Sequence, residues 1–185
     1  MLPQNRSEGE AALDLGTSLI DKGRFHDAIE PLLRAAAISG TAAQRRATAT
    51  ALLRLGFGLG DRQNYAEALR VHARAAAIFA ELGDAEQELQ CRTLIGICEW
   101  QLKAYESAIQ IFESNAENAL GAGRTAMRAV ALLSISCILV DHLRQYRRAD
   151  PYATEAARLF RSTGDHEQAA HALRHLDEAR HEGNP

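Results

Sequence analysis

Cysteine is scarce and unpatterned in this chain. Its three cysteines, Cys91, Cys98 and Cys137, form an odd set without C-x-x-C spacing. That excludes a disulfide framework and a zinc ribbon, and it suits a reducing cytoplasm, where we expect the protein to work. A basic excess is also missing. The formal charge of -3 over 185 residues supplies no surplus cations to neutralise a phosphate backbone, so nucleic acid is not an expected partner. The arginine pairs Arg45-Arg46 and Arg147-Arg148 stand among acidic residues and read as solvated helix faces. No segment reaches the roughly 18 uninterrupted apolar residues of a membrane span. The longest apolar run, Ala129 to Val140, is broken by Ser134 and Ser136 and reads as a buried helix. Met1 to Glu10 lacks the apolar stretch of a secretion signal. A soluble chain without a membrane partner is therefore expected. With 46% hydrophobic residues it has enough apolar side chain for one continuous core, and we expect a single domain over residues 1–185.

What is present is a repeat. Leu15-Gly16 recurs as Leu55-Gly56, as Ile95-Gly96 and, weakened, as Ile135-Ser136, in steps of 40 residues. A second series runs beside it: Phe25-x-x-Ala28, Tyr65-x-x-Ala68, Tyr105-x-x-Ala108 and Tyr146-x-x-Ala149. Its last step is 41, which predicts one extra residue near His142 to Gln145. Between the series lie Gly40-Thr41, Gly83-Asp84 and Gly164-Asp165, each a glycine that stops one helix and a side chain that caps the next. Gln44, Gln87 and Gln168 follow three residues after each cap, and Ser7 with Glu10 repeats the arrangement at the start. These are capping-box patterns, in which two orphaned backbone donors are satisfied reciprocally.

Apolar residues between the caps follow the 3.6-residue period of a helix. Nine helices are predicted, at about 8–21, 25–39, 42–60, 64–82, 85–102, 105–121, 125–143, 146–163 and 166–180. Pro31 and Pro151 fall inside the second and eighth, where each removes a ladder hydrogen bond and predicts a bend without a break. Gly16, Gly56, Gly96 and Ser136 allow the first helix of each pair to approach the second, and Ala28, Ala68, Ala108 and Ala149 do so from the facing side.

These residues resemble the tetratricopeptide repeat, whose signature is a small residue in the first helix, then an aromatic, an alanine and a second alanine in the next. Ala35, Ala75 and Ala156 match the second alanine, and Asn115 departs from it. The family's ordinary repeat is about 34 residues. The 40-residue step resembles its longer-helix variant, found in spindle-orientation scaffolds and in sensor regions of bacterial transcription activators. The resemblance implies an all-α, right-handed superhelical solenoid of four repeats, at about 7–40, 41–83, 84–123 and 124–164, closed by a capping helix at 165–181. It also implies protein binding in a concave groove lined by the first helix of each pair.

With the small residue as phase marker, that groove is expected to hold residues three before, one after and four after it. These are Leu13, Thr17 and Ile20; Leu53, Phe57 and Gly60; Thr93, Ile97 and Trp100; Leu133, Cys137 and Val140. Most are apolar. An open groove of this kind takes an amphipathic helix or an extended apolar peptide, with Phe57 and Trp100 as the best anchors. A tight superhelix would instead fill it with its own side chains. Asp21, Asp61 and Asp141 recur at first-helix ends, either to select basic groups or simply as solvated ends. Chaperone-binding members of the family clamp a carboxylate with basic residues and asparagine. The matching places here hold Leu13, Thr17, Arg54, Gln90 and Leu94, of which only Arg54 could serve.

Catalytic signals are weak. His171 and His175 stand four apart on the last helix, the spacing that places two imidazoles on one face for a metal. His166-Glu167 precedes His171 by one residue too many for HExxH, and a solvated helix face is the expectation. Gly56, Gly58 and Gly60 give G-x-G-x-G without a preceding strand, and are read as loosening a helix end. His72 occupies a core position. No catalytic residue, metal or cofactor is expected. The leading function is an adaptor or chaperone-like module that captures a partner protein or peptide. A sensor subunit for a small ligand or signalling peptide is the alternative, and self-association as a homodimer is the third. The arginine- and alanine-rich composition hints at a bacterial source.

Overall fold

The computed structural model describes residues 3–38 and 40–182. Among them every regular element is helical: α1 Pro3–Asp21, α2 Phe25–Ala37, α3 Ala42–Gly60, α4 Tyr65–Glu81, α5 Ala85–Gln101, α6 Tyr105–Gly121, α7 Thr125–Cys137, α8 Tyr146–Ser162 and α9 His166–Glu182. A π-helical turn, Ile138–His142, continues α7. The fold is therefore all-α, in successive helix pairs. Two compact units divide it, one ending at Leu102 and one beginning at Lys103. That division falls inside the third expected repeat and not at a repeat junction. In a chain built from nearest-neighbour contacts any inter-helix turn is a possible boundary.

The caps form where the sequence places them. At α3 both halves of a capping box are present: the Gln44 N–H donates to Thr41 Oγ1 at 3.2 Å and the Thr41 N–H to Gln44 Oε1 at 2.8 Å. Asp84 and Asp165 each accept from the backbone of the residue three further on, Gln87 at 3.3 Å and Gln168 at 3.1 Å. The first cap differs. Helix α1 begins at Pro3, so Ser7 lies inside it, and the Ser7 side chain is outside the described residues. Gly40 also departs from expectation: α2 ends at Ala37 with Ile38 extended, and Gly40 takes no left-handed conformation.

The helix stops recur at one backbone position. Left-handed residues occur at Gly23, Gln63, Lys103 and Arg144 after the first helices, and at Gly83, Gly123 and Gly164 after the second. At the α3 end the Asn64 N–H reaches Leu59 O at 2.9 Å and the Gln63 N–H reaches Gly60 O at 2.8 Å. This pair of bonds is a Schellman stop, which requires φ above zero and favours glycine. An exposed L-residue there is strained by about 1–2 kcal/mol, against roughly 0.5–1 kcal/mol of extra unfolded-state entropy for glycine. Gln63→Gly is therefore expected to raise stability by up to about 1 kcal/mol in urea denaturation, while Gly83→Ala lowers it by a similar amount. Equal effects of the two changes would contradict the backbone assignment.

The 41-residue step has a structural counterpart. The extra residue is absorbed by the π turn, where the Leu143 N–H donates to Ile138 O at 3.2 Å, five residues back. The corresponding bonds after α3 and α5, Asp61 to Phe57 and Leu102 to Cys98, span four. Pro31 and Pro151 both lie within helices that run through them unbroken.

Close helix approach rests on the small residues. Ala28, Ala68, Ala108 and Ala149 are fully buried, as is Ser136 at the glycine position of α7. A Cβ on Gly16 would lie 2.5 Å from the Leu32 side chain, and one on Gly58 would lie 2.4 Å from the Phe25 ring. Gly58 thus seats the aromatic of the preceding repeat. Gly56 sits at the close approach expected of it, whereas the expectation that Gly58 loosens the helix end is corrected; around Gly60 there is open space. Among the described residues, Thr125–His142 is the one helical stretch long and apolar enough to cross a membrane by length and composition. Its Leu132, Leu133, Ile135, Ile138 and Leu139 are buried within the second unit, where α6, α8 and α9 pack on it.

Arginines expected to be solvated are paired. Arg45 meets Glu81 at the end of α4, Arg46 meets Asp84 at the start of α5, and Arg148 lies 3.5 Å from Glu106. At exposed positions each such pair is worth about 0–1 kcal/mol, so they fix register more than stability.

Candidate functional site

In the first unit the expected inward residues divide by exposure. Phe57 is 45% exposed and Ile97 36%, each immediately after the glycine of its helix. Leu13, Thr17 and Trp100 are half-buried, as are Gly60 and Thr93. Ile20 and Leu53 are buried in the core. The two exposed side chains therefore occupy equivalent positions of α3 and α5, one repeat apart.

Between α1 and α3 runs an open groove of about 810 Å³. Leu13 and Thr17 line it, but so do Asp21, Arg46, Thr50 and Arg54. The groove is consequently mixed in character and not the apolar trough that the phase marker suggested. Its hydroxyls turn back onto their own helices: Thr17 Oγ1 donates to Leu13 O at 2.7 Å and Thr50 Oγ1 to Arg46 O at 2.9 Å. One ion pair crosses it, with Arg54 2.8 Å from Asp21. The sequence missed Thr50 and Arg46 because they lie on the flank of the helix, one and two turns before Arg54.

In the second unit the stripe is covered. Leu133, Cys137 and Val140 are all buried, Val140 completely. Helix α9, expected to cap the exposed end, packs against α7 and the π turn and brings His175 to 3.3 Å from Cys137 Sγ. His175 Nε2 lies 3.0 Å from His171 Nε2, and its Nδ1 lies 3.9 Å from Asp141 Oδ1. His175 is only 8% exposed, so the expectation of a solvated histidine face is corrected: the pair leans inward onto a thiol.

Residues 47–120 match the family model of the tetratricopeptide repeat. That stretch carries tetratricopeptide repeats. Among solved structures, the apo form of RapI is similar with a TM-score of 0.76 and 17% identity, over 95% of this chain and 49% of that one. Aspartyl phosphate phosphatase F from Bacillus subtilis follows at 0.64 and 17%, over 96% of this chain and 52% of that one. A MamA RS-1 double mutant is similar at 0.53 and 14%, over 96% of this chain and 97% of that one. The chain thus spans about half the length of the first two. At these identities the likeness establishes the fold. No curated protein sequence matches significantly.

The tetratricopeptide pattern explains which positions are free to act. The aromatic before each alanine is structural: the Phe25 ring packs on Gly58 beneath the Arg62 guanidinium at 4.7 Å, and Tyr105 stacks on His142 at 4.8 Å. Arg54, the one residue suited to a carboxylate clamp, is occupied by Asp21. Two of the cysteines, Cys91 and Cys98, are held inert. Burial pushes the Cys91 thiol up to about 12, with Glu88 adding to it, and the Cys98 thiol up to about 11, with Glu99 adding. Thiols this far above neutrality carry almost no nucleophilic thiolate.

Proposed function

We propose that this tetratricopeptide chain is a non-catalytic interaction module that captures an amphipathic helix or apolar peptide of a partner protein on the α1, α3 and α5 face of its first unit. Phe57 and Ile97 are the anchors, with half-buried Trp100, Leu13 and Thr17 beside them. The observation that carries this reading is the exposure of two large apolar side chains at equivalent positions of successive repeats. In a stable helix such positions face water at a cost unless something covers them, and aromatic and aliphatic anchors dominate binding energy where they are covered. Ile20 and Leu53, buried in the first unit, support the face from beneath, while Leu133, Cys137 and Val140 are buried in the second unit and take no part. A Rap protein complexed with competence and sporulation factor, similar to this chain at a TM-score of 0.55 and 16% identity, lends the general reading support.

Both anchors are exposed, so a Phe57→Glu, Ile97→Glu variant should remain helical by circular dichroism. Partners retained by the native chain from lysate, once identified, are expected to bind the variant at least about tenfold more weakly in titration calorimetry, since hot-spot losses reach 2 kcal/mol or more. Unchanged affinity would remove this face from consideration.

A second reading rests on the groove between α1 and α3. Its volume lies in the range of small-ligand sites, roughly 300–1,000 Å³, and its Asp21–Arg54 pair offers one charge of each sign to a zwitterionic or peptide ligand. A signal-transduction ATPase with a tetratricopeptide repeat sensor from Pyrococcus horikoshii is similar at a TM-score of 0.55 and 18% identity, over 32% of that chain. Here Arg54→Ala would abolish binding and Phe57→Glu would not, which separates the two readings.

A further inference from the structure

The three metal-competent atoms of the second unit converge without sharing a local motif. Cys137, His171 and His175 each bring one ligand atom within 4.8 Å of the other two, and His175 Nε2 lies between Cys137 Sγ at 3.3 Å and His171 Nε2 at 3.0 Å. We infer that these three side chains form a binding site for a thiophilic transition-metal ion such as zinc. A tetrahedral ion with bonds of about 2.0–2.1 Å to nitrogen and 2.3 Å to sulfur sets its ligands roughly 3.3 Å apart for two nitrogens and 3.6 Å for nitrogen and sulfur. The present separations, 3.0 Å between the imidazoles and 3.3 Å between His175 and Cys137, fall a few tenths of an ångström short of both. Small rotations of His171, which is only half-buried, and of the thiol open the triangle to fit.

Three further features suit an ion here. Both histidines offer the same ring nitrogen, Nε2, to a common point, which the i, i+4 spacing on α9 fixes. The Nδ1 edge of His175 faces Asp141 at 3.9 Å, the side on which a carboxylate orients a ligating imidazole in carboxylate–histidine–metal arrangements. Cys137 is the last residue before the π turn that also supplies Asp141, and such turns recur at functional sites. With three protein ligands the fourth position is left for water or an exogenous ligand. The donor set of one sulfur and two imidazoles selects zinc or copper(I) over magnesium or calcium, which require oxygen. An ion that binds displaces the Cys137 thiol proton to solvent as the metal–sulfur bond forms.

The full-length chain, purified in chelator and desalted, is titrated with cobalt(II) and then zinc(II). The expected result is one equivalent of cobalt with the visible bands of a four-coordinate ion and a thiolate-to-cobalt charge-transfer band, both abolished by zinc. Cys137→Ala is expected to remove the charge-transfer band. His171→Ala should weaken binding by at least about tenfold, because losing a ligand costs no less than losing its support. Cys98→Ala should change neither. His171 is half-buried, so its removal leaves the core intact and the test does not depend on whether the Cys137 variant folds. Absence of a charge-transfer band in the folded native chain, or its persistence in helical Cys137→Ala, would overturn the site and leave the trio as a hydrogen-bonded contact between α7 and α9.

Discussion

Gly56→Ala is expected to destabilise the protein by about 2 kcal/mol, against the ordinary preference of helices for alanine. A Cβ at this position would lie 2.2 Å from Cε1 of His72, 2.5 Å from Nε2 and 2.6 Å from Nδ1. The obstacle is one edge of a rigid ring, and His72 is only 2% exposed, so no flexible chain end is available to swing aside. Helices α3 and α4 must separate or the imidazole must leave its rotamer, and overpacking of this kind costs up to about 3 kcal/mol. The helix-propensity gain of alanine over glycine returns about 1 kcal/mol. Gly60, four residues later on α3, is the internal control. Nothing lies within 4 Å of a Cβ built there, so Gly60→Ala keeps the propensity term alone and is expected to be neutral or to stabilise by up to about 1 kcal/mol. Urea denaturation of the two variants should give opposite signs, and His72→Ala should relieve much of the Gly56→Ala cost in a double-mutant cycle. Two stabilised variants would mean that the helices do not meet as closely as described.

The same contact illustrates what could be read in advance. The 40-residue step located Gly56 as a small residue facing Ala68, because steric exclusion at a helix crossing leaves a compositional trace at a fixed period. It did not identify His72 as the group under the glycine, since the equivalent positions hold the apolar Leu32, Phe112 and Ala153, none of them an imidazole. The insertion in the fourth repeat was legible from a 41-residue step, but its place was set one turn too late. Ile138, Leu139 and Val140 are all fully buried, so widening the helix at that point keeps all three inside, whereas the polar segment after His142 has no such demand. Exposure along the stripe was legible only in part. Phase fixes the direction of Phe57 and Ile97, but whether a later helix covers that direction is a property of tertiary packing, and α9 does so for Cys137 and Val140. The histidine pair was visible as an i, i+4 spacing; its thiol, 38 residues from His175, was not.

Acid should weaken the protein through His72 before its carboxylates titrate. Burial lowers the His72 pKa from 6.5 to about 4. Its Nδ1 is buried without a hydrogen-bond partner, and its neighbours are Gly56 and the edge of the Phe57 ring at 5.9 Å. The folded state therefore keeps the imidazole neutral where the unfolded chain takes up a proton. The sign follows directly: stability is full above pH 6.5, falls as the pH drops through the window between 6.5 and about 4, and loses nothing further from this residue below it. At pH 5 the loss is about 2 kcal/mol and at its limit about 3 kcal/mol, taking 1.36 kcal/mol per pKa unit. His72→Leu, which restores the residue type of the first repeat, should abolish this slope and be no less stable at pH 7, because it removes a buried unsatisfied nitrogen at little change in volume. The measurement is the difference in unfolding free energy between native and His72→Leu protein at pH 7 and pH 5, in which the carboxylate contribution cancels. A parallel decline of the two proteins would place the acid sensitivity elsewhere. A difference that opens between those pH values would show that the repeat holds an uncharged imidazole in its core and that its close helix crossing depends on keeping it so.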